Sequence, residues 1–99
     1  MKLDHVELFY TYITTNPDRT VLYTGMTNDL KRKMFEHYTE RRKSDHFASK
    51  FHCHQLLYYE IYETASDAIR REKEIKNLTR ERKMELIKIK NSKMSFLII

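Results

Sequence analysis

The sequence predicts a small α/β domain of the α+β kind, a three-stranded sheet with helices packed against it in the order ββαβαα. Three observations lead there. Two short runs rich in β-branched and aromatic residues, 6–14 and 20–23, flank a segment of turn chemistry. A third such run, 56–62, is preceded by one segment with helical apolar spacing and followed by two. Ninety-nine residues with one Gly and one Pro leave no room for a second core or for long loops, so 1–99 reads as one domain.

Taken in order, 6–14 forms the first strand. Asn16-Pro17-Asp18-Arg19 turns the chain, with Pro fixing φ and Asp able to accept from its own backbone. The second strand, 20–23, ends at Gly25, and a symmetric loop between the two strands sets Tyr12 opposite Tyr23 on one face. Asn28 or Asp29 caps a helix running to about residue 42. Its stripe is Leu30, Met34 and Tyr38 with Phe35 alongside, and Lys33, His37 and Glu40 follow the stripe's edge. Arg41, Arg42 and Lys43 open a charged connection, with space for a short helical turn over 46–52. After the third strand, Thr64-Ala65-Ser66-Asp67 makes a capping box for a second helix with the stripe Ala65, Ala68, Ile69 and Ile75. Asn77 or Thr79 caps a third helix that turns Met84, Leu86 and Ile87 inward.

Hydrophobic content of 40% with 33% charged residues is a globular composition. Cys53 is the only cysteine, which excludes an intramolecular disulfide and suits a reducing cytoplasm. Charges interrupt the first residues before any signal-like apolar run develops, and the apolar stretch 96–99 is far too short for a bilayer. A soluble, cytoplasmic protein is expected. The tail 95–99 either covers the core's edge or joins two subunits. No Gly-rich phosphate loop, nucleophile elbow or paired-Cys motif is present, which excludes nucleotide kinases, serine-type hydrolases and zinc ribbons.

The net charge of +5 is unevenly placed. Residues 1–27 carry a net of −1, whereas 68–93 set ten Lys/Arg against four Glu, a net of +6. Such a surface either attracts a polyanion such as nucleic acid or is a well-solvated helical face. Glu72 falls in the middle of the second helix's apolar stripe, where an unpaired carboxylate is costly. Either it pairs with a neighbouring cation such as Arg71, or it holds a divalent metal, for which hard oxygen ligands suit Mg²⁺. Tyr12 and Tyr23 are either a cross-strand packing pair or phenols able to relay a proton from an attacking water. His37, one turn after Lys33, is either a surface histidine or an active-site group. His52-Cys53-His54, with His46 upstream, matches no standard zinc spacing.

These positions also form an ordered set. Tyr10-Thr11-Tyr12, ten intervening residues and Tyr23-Thr24-Gly25 resemble the two halves of the GIY-YIG signature. Residues 26–33 are similar to that family's strand-to-helix passage, and His37 stands where many members carry a histidine. Leu57-Tyr58-Tyr59-Glu60 resembles its third strand, and 68–76 its second helix with the metal-binding glutamate. The likeness runs from about residue 8 to 90 and includes small stand-alone bacterial members, similar to the nuclease module of the excinuclease C subunit. It implies an antiparallel sheet with the active site on one sheet face, and metal-dependent hydrolysis of phosphodiester bonds in DNA, in repair or recombination. Glu72 is then the ligand of Mg²⁺ or Mn²⁺, Tyr12 or Tyr23 takes the water's proton, and His37 lies by the attacking or leaving group.

Two positions depart from the family's pattern. Tyr10 replaces the signature's first glycine, and Lys33 stands where an arginine is expected, eight residues after Gly25. Lysine keeps the charge but loses the planar fork that grips two phosphate oxygens. Arg32 precedes it, turned about 100° away on an ideal helix. The further expected nucleic-acid contacts are Arg32, Arg41, Arg71, Lys76 and Arg80, with DNA, or RNA, as partner. A protein partner or homodimer is a further expectation. The second reading is a catalytically weakened nucleic-acid-binding module of the same fold.

Overall fold

A strand buried on both faces needs neighbours on both sides, and β1 (Phe9–Thr15) has them: every residue from Thr11 to Thr15 is buried. The computed structural model describes residues 6–39 and 52–99. β1 lies between β2 (Leu22–Thr27) and β3 (Gln55–Tyr62) in an antiparallel sheet of order β2-β1-β3. Val6, expected in the first strand, is exposed and precedes it. The second strand also starts later than expected. Asn16 Oδ1 accepts from Thr20 N at 2.8 Å and Val21 N at 3.0 Å, which draws both residues into the loop. The register follows from that loop: Tyr12 pairs with Gly25, and Tyr23 with Thr14. The two tyrosines are therefore diagonal neighbours rather than directly opposed, and Gly25 lies inside the strand instead of after it.

A register shift in the β1–β3 pairing falls between Ile13 and Thr14 and leaves Leu57 in the same layer as Tyr58, with Leu56 in the other. On the Ile13 face pack α2 (Ala65–Lys76) and α3 (Arg80–Lys90), around Ile13, Leu57, Ile75, Ile87 and Met94. Thr11 Oγ1 ties the sheet to α2 by donating to Ala68 O at 2.7 Å. Both helices start on side-chain caps: Thr64 accepts from Asp67 N, and Thr79 from Arg82 N, each at 3.2 Å. Asn77 ends α2 rather than opening α3. Ile69 of the expected stripe is exposed, whereas Met84 and Leu86 pack on the core beside Ile87.

α1 (Leu30–Thr39) covers the opposite face, where Leu30 and Met34 pack with Tyr12, Leu56 and Tyr59. Asp29 Oδ1 caps it by accepting from Arg32 N at 3.1 Å. Its inward line is not the expected one. Phe35 and Tyr38 are 66% and 51% exposed, and His37 is buried in their stead. Glu40, Arg41 and His46, the helix end expected near residue 42 and the turn expected from residue 46 lie outside the described residues. Among the described residues no helix is long and apolar enough to cross a membrane.

The chain's last residues cover the core's edge: Met94 is buried in it, and Leu97 N donates to Leu56 O at 2.8 Å. Arg19, with φ of 59°, holds this tail to the β1–β2 loop. Its Nε donates to Met94 O at 2.9 Å, and its guanidinium lies 3.9 Å from the Phe96 ring centre.

Between β3 and α2 sits a closed ionic network. Arg71 places Nε and Nη2 on the two oxygens of Glu60 at 2.9 and 3.1 Å, and the Tyr58 and Tyr62 hydroxyls donate to the same carboxylate. Burial pulls the Glu60 carboxyl upward, but these hydrogen bonds outweigh it and hold the group below its ordinary 4.5. A carboxylate depressed by folding contributes stability in full above its unfolded pKa, and loses that contribution as pH falls through the folded one. Arg71→Ala should therefore cost about 2 kcal/mol near neutral pH, measured by urea unfolding. The gap to wild type should narrow below pH 4.5.

Candidate active site

The site starts from a close approach inside the hairpin. Tyr12 is 1% exposed, and its ring lies on Gly25, where an added Cβ would fall 2.5 Å from Tyr12 Cζ and 3.0 Å from Cε2. Gly25 has no positive φ, so room rather than backbone freedom requires glycine here. With the ring so placed, Tyr12 Oη meets His37 Nε2 at 2.9 Å, a pair in which the imidazole tautomer sets the donor. Tyr23, half-buried on the edge strand, completes a cluster of three rings. Its centre is 5.5 Å from His37 and 6.5 Å from Tyr12, and Tyr12 is 5.7 Å from His37.

Burial pushes the Tyr12 phenol well above its ordinary range, and electrostatic coupling to Tyr23, Glu72 and Glu36 pushes it further. It stays protonated at any physiological pH, which suits a hydrogen-bonding partner better than a base. Two of these influences are carboxylates, one from each layer. Glu72 comes from α2, whose packing face is the Ile13 side of the sheet, yet its charge is felt at Tyr12. The components thus do not share one sheet face. Tyrosines and α1 come from one side, and the helix bearing Glu72 from the other.

Glu72 occupies the inward side of α2 near Ala68 and Ile75, with its side chain 20% exposed. Its cationic partner is Lys76 at 3.5 Å, not Arg71, whose fork is closed on Glu60 and whose Nη1 reaches Glu74 at 3.3 Å. Arg71 is therefore not an open nucleic-acid contact. Arg80 Nη2 donates to Arg19 O at 3.3 Å, beside the hairpin loop and away from the ring cluster. Lys33 Nζ and Arg32 Nε both pair with Glu36, each at 3.4 Å. Glu36 is the charged residue that the sequence reading missed. Its signal was spacing, four residues after Arg32 and three after Lys33.

Among the described residues no group of three or more His, Cys, Asp or Glu is gathered as a metal cage. One half-buried carboxylate with an exposed lysine partner fits an ion that keeps its waters and takes phosphate oxygens, as Mg²⁺ does. Cys53 is buried, its thiol pushed up to about 11 by burial and directed at Val21 O, 3.8 Å away.

This hairpin, with a tyrosine laid on a glycine beneath a helix-borne histidine, lies within the part of the chain that matches the GIY-YIG catalytic domain. The model of that family matches residues 8–85, and the chain belongs to the GIY-YIG family. It is 37% identical over 86 residues to the UPF0213 proteins of Staphylococcus aureus strains Mu50 and N315, covering 80% of this chain and 93% of each relative. The solution NMR structure of the UPF0213 protein BH0048 from Bacillus halodurans is similar, with a TM-score of 0.54 and 28% identity. That likeness covers 87% of this chain and 88% of the other.

Gly25→Ala tests the close approach. The added methyl group should displace the Tyr12 ring and lower stability by about 1–3 kcal/mol. NMR should show the His37 ring signals shifting as the Tyr12 hydrogen bond is lost.

Proposed function

We propose that this protein is a metal-dependent endonuclease that hydrolyses phosphodiester bonds of DNA in the cleft beside β2. The observation that carries this reading is the Tyr12–His37 pair, 2.9 Å apart and bordered by Tyr23, in a chain of the GIY-YIG family whose α2 carries a partly buried acid, Glu72. Tyr23, half-buried on the edge strand, borders that cluster.

Glu72 is the residue to hold Mg²⁺ or Mn²⁺. Such an ion supplies polarisation of the phosphate and stabilises the leaving oxygen. Lys33 holds the phosphate by charge, from a position one helical turn before His37. Tyr23, less buried than Tyr12, orients the attacking water through Oη and relays its proton. Tyr12 remains protonated and fixes the His37 ring, which keeps the imidazole beside Tyr23. The basic stretch 68–93, through Lys76 and Arg80, supplies long-range attraction for the duplex. A place in repair or recombination is the role we assign to such an activity.

A second reading rests on one observation: a lysine stands at residue 33, where the family resemblance leads one to expect the bidentate arginine. On that reading the protein binds nucleic acid without cutting it.

Branched, nicked and single-stranded DNA incubated with the protein and Mg²⁺ or Mn²⁺ decide between the two. The nuclease reading expects cleavage that falls on the order of 100-fold in Glu72→Ala. Cleavage unchanged by Glu72→Ala would refute the site. Salt-sensitive binding with no turnover on any substrate would favour the binding module.

A further inference from the structure

We propose that Arg32 and Lys33 act together as a two-cation phosphate clamp, held in register by Glu36, in place of a single arginine. The inference rests on reading the cleft beside β2 as a phosphodiester site, and it assigns the contact that Lys33 alone makes poorly.

Adjacent helical side chains leave the axis about 100° apart, so Arg32 should point away from the line that Lys33 shares with His37. Glu36 closes that gap. One of its oxygens takes Arg32 Nε and the other takes Lys33 Nζ, both at 3.4 Å, so the two cationic heads converge on a single carboxylate. Lys33 lies one helical turn before His37 on the same line of α1, and His37 packs against both Tyr12 and Tyr23. The pair is thereby brought to the rim of the ring cluster.

Arg32 is steered from a second side. Its Nη2 donates to Asn28 Oδ1 at 3.2 Å, and Asn28 Nδ2 is itself anchored on Glu7 Oε2 at 3.0 Å. The guanidinium is thus oriented through Nε and one Nη2 proton, while Nη1 carries no partner among the described residues. Its outer edge, Nη1 with the second Nη2 proton, matches two oxygens of a phosphate. Lys33 is ion-paired with Glu36 at 3.4 Å, so its ammonium, with three N–H donors, adds charge to the same anion without leaving its carboxylate. The three side chains are 55%, 37% and 40% exposed for Arg32, Lys33 and Glu36, so a DNA backbone reaches them without rearrangement. Lysine supplies charge and arginine supplies the fork.

Two measurements test the clamp, the first without turnover. Affinity for a DNA duplex is followed by fluorescence anisotropy in EDTA across a KCl series. Arg32→Ala and Lys33→Ala should each reduce the slope of log affinity against log salt by about 1. Glu36→Gln should tighten binding, because a negative charge leaves the rim. The second measurement is cleavage with Mn²⁺. Arg32→Ala should slow turnover by about tenfold or more. Lys33→Arg added to Arg32→Ala should restore it, since an arginine at 33 brings its own fork. Glu36→Gln should lower turnover despite tighter binding, a split that lost folding would not produce. The proposal is overturned if Arg32→Ala leaves the slope unchanged while Lys33→Ala reduces it, or if the duplex does not bind at all. It also fails if wild type cleaves and Lys33→Arg does not rescue Arg32→Ala. A wild-type protein that binds but never cleaves sinks the nuclease reading, and the salt slopes still decide the clamp.

Discussion

The Tyr12 ring occupies the space where any side chain on Gly25 would have to be, and the rest of the site is arranged around that fact. A ring pinned there carries its hydroxyl to His37, and the bond between them fixes how α1 is rotated on the sheet. A neutral hydrogen bond of this sort contributes about 1 kcal/mol net, but leaving a buried phenol without a partner costs more than the bond supplies. That asymmetry explains why a polar histidine is buried while Phe35 and Tyr38, both more apolar, face outward. Lys33 and Glu36 lie within a turn of His37 on the same helix.

A second constraint acts across the sheet. α2 presents Arg71 and Glu72 in succession, and the two side chains leave the helix in different directions. Arg71 is taken by Glu60, whose carboxylate also serves Tyr58 and Tyr62. Glu72 is left with Lys76, an exposed side chain one turn on, in a pair that solvent and salt weaken. An acid so loosely compensated can exchange its partner for a metal ion or a water, which a fork-to-carboxylate pair does not permit. The network beneath β3 thus keeps the arginine away from the acid.

Much of this was legible in the residues. The element order follows from periodicity, and Thr64 and Thr79 cap as their sequence neighbours indicate. Glu72 stood out because a carboxylate on an apolar stripe contradicts burial, and it does lie half-buried there. The hairpin register was not legible, because it depends on a single side-chain oxygen, Asn16 Oδ1, gathering Thr20 and Val21 into the loop. Apolar spacing favoured Tyr38 over His37 for the inward line, since such spacing cannot register a phenol waiting on the sheet. Arg71 looked like an open cation because its partner, Glu60, is brought to it only by the pairing of β3 with β1. Glu36 was overlooked because its value lies in two neighbours at once.

The central claim is that an acid from one layer and phenols from the other border a single cation-holding cleft. Titrating the isotope-labelled protein with Mn²⁺ and recording paramagnetic line broadening tests it most directly. Broadening should centre on Glu72, extend to the side chains of Tyr23 and His37, and vanish in Glu72→Gln. Broadening centred on Glu74 or on α3, with Tyr23 and His37 left sharp, would contradict it.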